Sequence, residues 1–316
     1  CVLALHESRS DPLVQIDWWA GPYSSETGSR LGHASRQGFI VVAPLWSRPG
    51  QGAYEYTPQE HQRVLVALRD AMRRASIDSD RVFLVGHGEG ATAAWDIALA
   101  HPDLWAGMVS ISGNPAKTVP HYELNARYVP KYIVMGELDG RKADGAIIDD
   151  YMSFRHNAMV VMYRGNGRSY FFDEIQSVFD WMKLPAHRRQ EAPSDIETAA
   201  MRAGDQFFWW LELGAFKPGI AIDPILWEQA SRIRAGKVSA SIGTDNQISI
   251  RNGPTDNFRI LLRPQRDIDL NQEVVVSSGS GRRRRFQFDG SLEVLLEDAR
   301  QRADRKRPFW MVIDVP

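Results

Sequence analysis

The hydrophobic pattern of the chain changes character near residue 184. Before that point, short apolar runs alternate with stretches whose apolar positions recur at helical spacing. The runs are Val2 to Leu5, Phe39 to Ala43, Arg81 to Val85, Trp105 to Ile111, Tyr132 to Met135 and Met159 to Tyr163. Continuous runs of this kind predict strands buried on both faces of a parallel sheet. Between them, Val64, Leu65, Leu68 and Met72 after Pro58, the segment Ala91 to Ala100, and Ile175, Val178, Phe179 and Met182 predict helices. Leu31 to Gln37 carries a shorter helical pattern, and one more helix is expected before Met159. The stretch holding Trp18 and Trp19, and the segment Ala116 to Tyr128, read as irregular. Alternating strands and helices predict an α/β fold, a mostly parallel sheet with helices on both faces.

Residues Pro185 to Asp195 are charged and proline-containing, as domain edges often are. This sets the expected organisation as one domain over 1–190, then a linker and a small C-terminal β-rich domain over 191–316. The later runs, Val238 to Ile242, Ile248 to Ile250, Ile260 to Leu262 and Val274 to Val276, are short and separated by turn residues, as in all-β structure. A helix over Leu292 to Ala303 and a strand over Phe309 to Val315 close the pattern.

Composition narrows the function classes. With 316 residues, 43% hydrophobic and 24% charged, the chain reads as globular. A net charge of -1 gives no bias toward nucleic acid or an anionic membrane. No apolar stretch approaches the roughly 18 residues of a membrane span, and no basic segment precedes an apolar one as in a signal peptide. The chain starts at Cys1 and runs directly into an apolar strand, which reads as a fragment or a processed, N-terminally truncated chain. A lipidated mature terminus, which also begins with cysteine, would be followed by a polar tether. The single cysteine excludes an internal disulfide and a cysteine metal cage, and no His, Asp and Glu cluster has metal-site spacing.

Candidate chemistry concentrates at Val85-Gly86-His87-Gly88-Glu89-Gly90-Ala91, a glycine turn between a predicted strand and a predicted helix. Gly86, Gly88 and Ala91 fit the dinucleotide fingerprint G-x-G-x-x-G/A, so a nucleotide-binding module is one alternative. That reading needs an acidic residue about 20 positions on, and none lies between Met108 and Asn114.

The same turn, with its surroundings, resembles the nucleophile elbow of the α/β-hydrolase superfamily, and in particular its bacterial esterase and prolyl-oligopeptidase-like (peptidase S9) branch. Asp80 to His87, Gly90-Ala91 and Ala100-His101-Pro102-Asp103 are similar to the stretch D-R-V-x-L-x-G-H-S-x-G-G followed by x-H-P-D. Gly136-Glu137-Leu138-Asp139 resembles the segment that supplies the triad acid, and Gly167-Arg168-Ser169-Tyr170-Phe171 stands where the family writes G-H-x-x-F. The resemblance covers about residues 1 to 183, and Asp205 to Trp210 look more weakly like a β-rich appendage of that branch.

Carried over residue by residue, the resemblance leaves the acid as Asp139, puts Gly88 at the nucleophile position and Arg168 at the base position. A serine hydrolase needs a hydroxyl and an imidazole that takes and returns its proton. Glycine has nothing to attack with, and arginine does not deprotonate near neutrality. The expectation is therefore a catalytically degraded, esterase- or peptidase-like hydrolase domain that binds an unidentified small molecule or peptide in its relic cleft, or acts as a scaffold. An active hydrolase of ester or peptide bonds using noncanonical residues is the other alternative. Asp139, with no histidine to orient, is expected to pair with Arg168. Glu7 stands beside His6 where the family often has L-H-G, so a carboxylate enters the oxyanion region. His87, Glu89 and Ser112 complete the pocket candidates, with Ser110 and Ser112 as substitute nucleophiles that lack an identified base.

No cofactor and no nucleic-acid or membrane partner is expected. Neither the compartment nor the oligomeric state is legible, although the resemblance allows an exported or periplasmic protein. The run Arg282 to Arg285 reads as a charged strand edge, and Phe207 to Trp210 as a buried aromatic cluster at a domain seam.

Overall fold

The computed structural model describes residues 1–139, 147, 149, 156–228, 233–265, 267–279 and 283–316. The helix expected before Met159 falls mainly outside these residues, as does Arg282. The chain separates into two compact units, Cys1–Gln190 and Glu191–Pro316. No helix among the described residues is long and apolar enough to cross a membrane.

The first unit runs β1 (Val2–Leu5), α1 (Pro12–Ala20), β2 (Tyr23–Ser24), β3 (Ser29–Arg30), α2 (His33–Arg36), β4 (Val41–Val42), α3 (Pro58–Arg74), β5 (Phe83–His87), α4 (Glu89–Ala100), β6 (Gly107–Ile111), α5 (Val119–Ala126), β7 (Lys131–Gly136), β8 (Ala158–Tyr163) and α6 (Ile175–Met182). Its main sheet has the order β4-β1-β5-β6-β7-β8, and every pairing in it is parallel. One face, carrying Val2, Ala4, Phe83, Val85, Val109 and Val134, packs against Trp19 of α1 and Val178, Phe179 and Met182 of α6. Helix α4 lies against β1, β5 and β6, and all its residues from Gly90 to Ala100 are buried. Its apolar residues run round the helix, with Thr92 and Asp96 buried among them, as in a helix enclosed by protein. The alanines of α4 permit close approach to the sheet, and the glycines before them require it. A Cβ on Gly86 would lie 2.2 Å from the Gly90 carbonyl oxygen, and one on Gly90 would lie 2.3 Å from that of Leu5.

Three local expectations change. The stretch with Trp18 and Trp19 is helical, because the Asp11 side chain accepts from the Leu13 amide at 2.7 Å and Pro12 occupies the first turn. Val119–Ala126 is also helical, kinked at Tyr122. Phe39 to Ala43 reduces to the two-residue β4, which is only half-buried, because it pairs on one side alone at the edge of the sheet.

The second unit holds β9 (Asp195–Ala200), β10 (Phe207–Phe208), β11 (Leu211–Leu213), β12 (Gly236–Ile242), β13 (Gln247–Asn252), β14 (Phe258–Leu262), β15 (Val274–Ser278), β16 (Arg283–Phe286), α7 (Glu293–Arg302) and β17 (Met311–Val315). They form a four-stranded sheet, β10-β11-β14-β17, and a five-stranded sheet, β16-β15-β13-β12-β9. Burial alternates along β12, β14 and β17, the period of strands with one face inward. Arg283 to Arg285 are exposed on β16, an edge strand, and Phe208, Trp209 and Trp210 are buried.

Candidate functional site

The glycine turn joins the central strand β5 to α4. Gly88 has φ 53° and ψ -117°, a conformation that costs glycine little and any other residue about 1–3 kcal/mol. Its amide donates to the Ile111 carbonyl at 2.9 Å, and its carbonyl accepts from the Thr92 amide at 2.9 Å. The turn is thus tied to β6 on one side and to the first turn of α4 on the other.

The space above Gly88 is filled by its neighbours. Arg168 Nη2 donates to both carboxylate oxygens of Glu7 at 2.9 Å, and the Glu89 amide donates to Glu7 Oε1 at 3.2 Å. A Cβ placed on Gly88 would fall 1.6 Å from Glu7 Oε2 and 2.2 Å from Arg168 Nη2. Glu7 therefore sits at the N-terminus of α4, where exposed amides and the helix dipole favour an anion. Half of the Arg168 side chain remains exposed, so the pair contributes about 1 kcal/mol or less.

This arrangement corrects the expected pairing of Asp139 with Arg168. Asp139 ends a single 3-10 turn after β7, half-buried, and makes no ion pair among the described residues. Glu7 reaches the arginine instead, because a residue without a side chain at position 88 leaves room for it. Glu89 turns its own carboxylate away, to accept from the Tyr54 amide at 3.0 Å.

Two histidines flank the turn, and both are sealed. His87 is 2% exposed, with its ring against Trp18 and Tyr170 at centroid distances of 4.6 and 4.8 Å. Its Nδ1 lies 2.9 Å from Gln15 Oε1. Burial pushes its pKa down to about 3, and the ring is neutral near pH 7. His6 is fully buried, stacked on Trp46, with Nδ1 2.8 Å from the Glu7 carbonyl oxygen, and burial lowers its pKa too. Ser110 is buried and accepts from the Trp95 indole at 2.9 Å. Ser112, in a left-handed conformation with φ 55°, donates its hydroxyl to the Ser169 carbonyl at 3.3 Å, and no imidazole partners it among the described residues.

Some members of this neighbourhood carry a signal that pattern reading passes over. Gln15, Trp18 and Trp19 lie three and four residues apart, so a helix puts them on one face, and that face meets His87. Trp18 also walls a groove of about 450 Å³ with Leu31, His33, Arg36 and Phe172. A second polar group is buried away from the turn. Asp96 accepts from the Tyr54 hydroxyl at 2.7 Å and pairs with His61 Nε2 at 2.8 Å, and His61 Nδ1 lies 3.2 Å from His101 Nε2. These residues come from separate helices and loops, and no sequence spacing could group them.

No protein-family model and no curated protein sequence matches the chain. Among solved structures, the chain is similar to esterase PE8, at 16% identity and a TM-score of 0.40 over 58% of this chain and 90% of that one. It is similar to Arabidopsis thaliana SOBER1 at 17% identity and a TM-score of 0.40, over 58% and 96% of the two chains. A carboxylesterase from Mesorhizobium loti stands at 16% identity and a TM-score of 0.40, over 58% and 88%. The first unit has, in its own topology, the features of an α/β-hydrolase-type fold: a parallel sheet, helices on both faces, and a tight turn from a central strand into a buried helix.

Proposed function

We propose that the first unit is a hydrolase-type domain, of esterase or prolyl-oligopeptidase-like descent, that has lost hydrolytic chemistry and serves as a binding or scaffold module. The observation that carries this reading is the Glu7–Arg168 pair lying within 1.6 to 2.2 Å of where a Cβ on Gly88 would be. An attacking hydroxyl would need that volume. The same carboxylate accepts from the Glu89 amide, so a developing oxyanion at the start of α4 would meet a negative charge. Proton transfer is equally unsupported: Arg168 is held on Glu7, and the two imidazoles flanking the turn, His6 and His87, are both buried. The dinucleotide reading weakens for a related reason, since the helix terminus that would take a pyrophosphate already holds Glu7.

The test is labelling with a serine-directed fluorophosphonate beside a p-nitrophenyl acetate assay. The expected result is no label on the wild-type chain and turnover no greater than the ~10³ to 10⁴-fold over water that binding and backbone donors alone can leave. Turnover at ordinary enzyme rates overturns the proposal. The triple change Glu7→Gly, Gly88→Ser and Arg168→His clears the volume and restores both groups, and label on this variant alone would mark the frame as a relic of a working site.

A further inference from the structure

We propose that the second unit binds an uncharged saccharide in the groove beside Trp310. The groove measures about 390 Å³, within the range of about 300–1,000 Å³ usual for small-ligand sites. Trp310 and Phe288, both half-buried, line it together with Ile268, and Gln265, Asp269 and Asn271 stand among the lining residues. Flat apolar surface beside several hydrogen-bonding groups is what a pyranose ring requires, because it offers a C–H face to an aromatic ring and a rim of hydroxyls that both donate and accept.

The polar groups are held ready. Asn246, 3% exposed and in a left-handed conformation, donates from Nδ2 to the Asp269 carbonyl at 2.6 Å and accepts from the Asp269 amide at 2.8 Å. This buried amide pins the Asp269 backbone between β14 and β15. Asp269 Oδ1 then accepts from the Asn271 amide and its Nδ2 at 3.0 and 2.9 Å, and Oδ2 accepts from Gln272 at 2.8 Å. The three bonds fix the carboxylate and lower its pKa. The Gln265 carboxamide makes no hydrogen bond among the described residues, so its donors and acceptor are available to a ligand, and the adjoining backbone is closed by the Gln265–Ile268 bridge. Preorganised polar groups on a pinned loop spare a ligand much of the ordering cost of binding.

The lining also bears on the class of ligand. The Asp269 carboxylate, held ionised by its three hydrogen bonds, disfavours an anion beside it. A purely apolar ligand would strip water from the Gln265 carboxamide without replacing its partners, at about 1–3 kcal/mol. An uncharged polyhydroxylated ring meets neither penalty.

The experiment uses the full chain. Co-sedimentation with microcrystalline cellulose, xylan, chitin and starch, followed by calorimetry with the matching oligosaccharide, should retain the protein on at least one glycan and perturb its tryptophan fluorescence. Trp310→Ala should weaken binding at least tenfold. Gln265→Ala removes a side chain with no hydrogen bond among the described residues, should leave the thermal midpoint unchanged, and should weaken binding at least threefold. Failure of every glycan to retain the wild-type chain overturns the proposal, as does retention that neither variant reduces. A proline-rich peptide that binds in a Trp310-dependent manner and is not displaced by sugar would overturn it too. None of these readouts involves ester turnover, so the result stands apart from the reading of the first unit.

Discussion

Two carboxylates engage helix α4, Glu7 at its first turn and Asp96 within it, under opposite physical conditions. Glu7 is about a quarter exposed and its partner Arg168 about half exposed, whereas Asp96 is fully buried and His61 nearly so. An exposed pair gains little because water and salt compete for both charges. A buried carboxylate must keep every partner, because each one lost leaves a polar group dry. The place where family resemblance puts catalysis is thus lightly held, while the stringent polar bonding lies in a core cluster to which resemblance assigned no catalytic role.

Asp96→Ala is the hardest blow to this contrast. It leaves His61 and the Tyr54 hydroxyl without their shared acceptor and should cost about 3 kcal/mol in urea unfolding; a loss under about 1 kcal/mol would erase the distinction between the two carboxylates. Gly88→Ser comes next. Its backbone conformation and the clash with Glu7 should together cost about 2–3 kcal/mol. Adding Glu7→Gly should return about 1 kcal/mol, a coupling that a double-mutant cycle reads directly.

His87 tests the elbow from below. Its folded pKa of about 3 lies under the ordinary 6.5, so the unfolded chain binds the extra proton between those values and stability falls as pH drops through that window. From pH 7 to pH 5 the loss attributable to His87 should be about 2 kcal/mol, and His87→Gln should flatten that part of the pH dependence. Arg168→Ala is the mildest change. It should shift stability by about 1 kcal/mol or less, and 1 M salt should reduce even that difference. A larger effect would mean that the pair is a structural clamp.

Much of the frame was legible beforehand. The parallel strands, the capped helix α3, the glycine turn and the short strands beyond residue 191 each follow from periodicity or turn chemistry within a dozen residues. Helix α1 was legible as well, in Asp11-Pro12 and in the spacing of Gln15, Trp18 and Trp19, but the paired tryptophans obscured the pattern. The edge position of β4 was not, since an apolar run reads alike whether a strand has one neighbour or two.

The sequence by itself determined that no side chain stands at the position where resemblance puts the nucleophile and that an arginine stands where it puts a base, because these are facts of residue identity. Tertiary structure alone decided what takes their place. Arg168 chose Glu7, 161 residues away, over Asp139, 29 residues away. Chain distance does not govern that choice. It follows from the volume that glycine leaves free and from the amides at the start of α4, which favour an anion there.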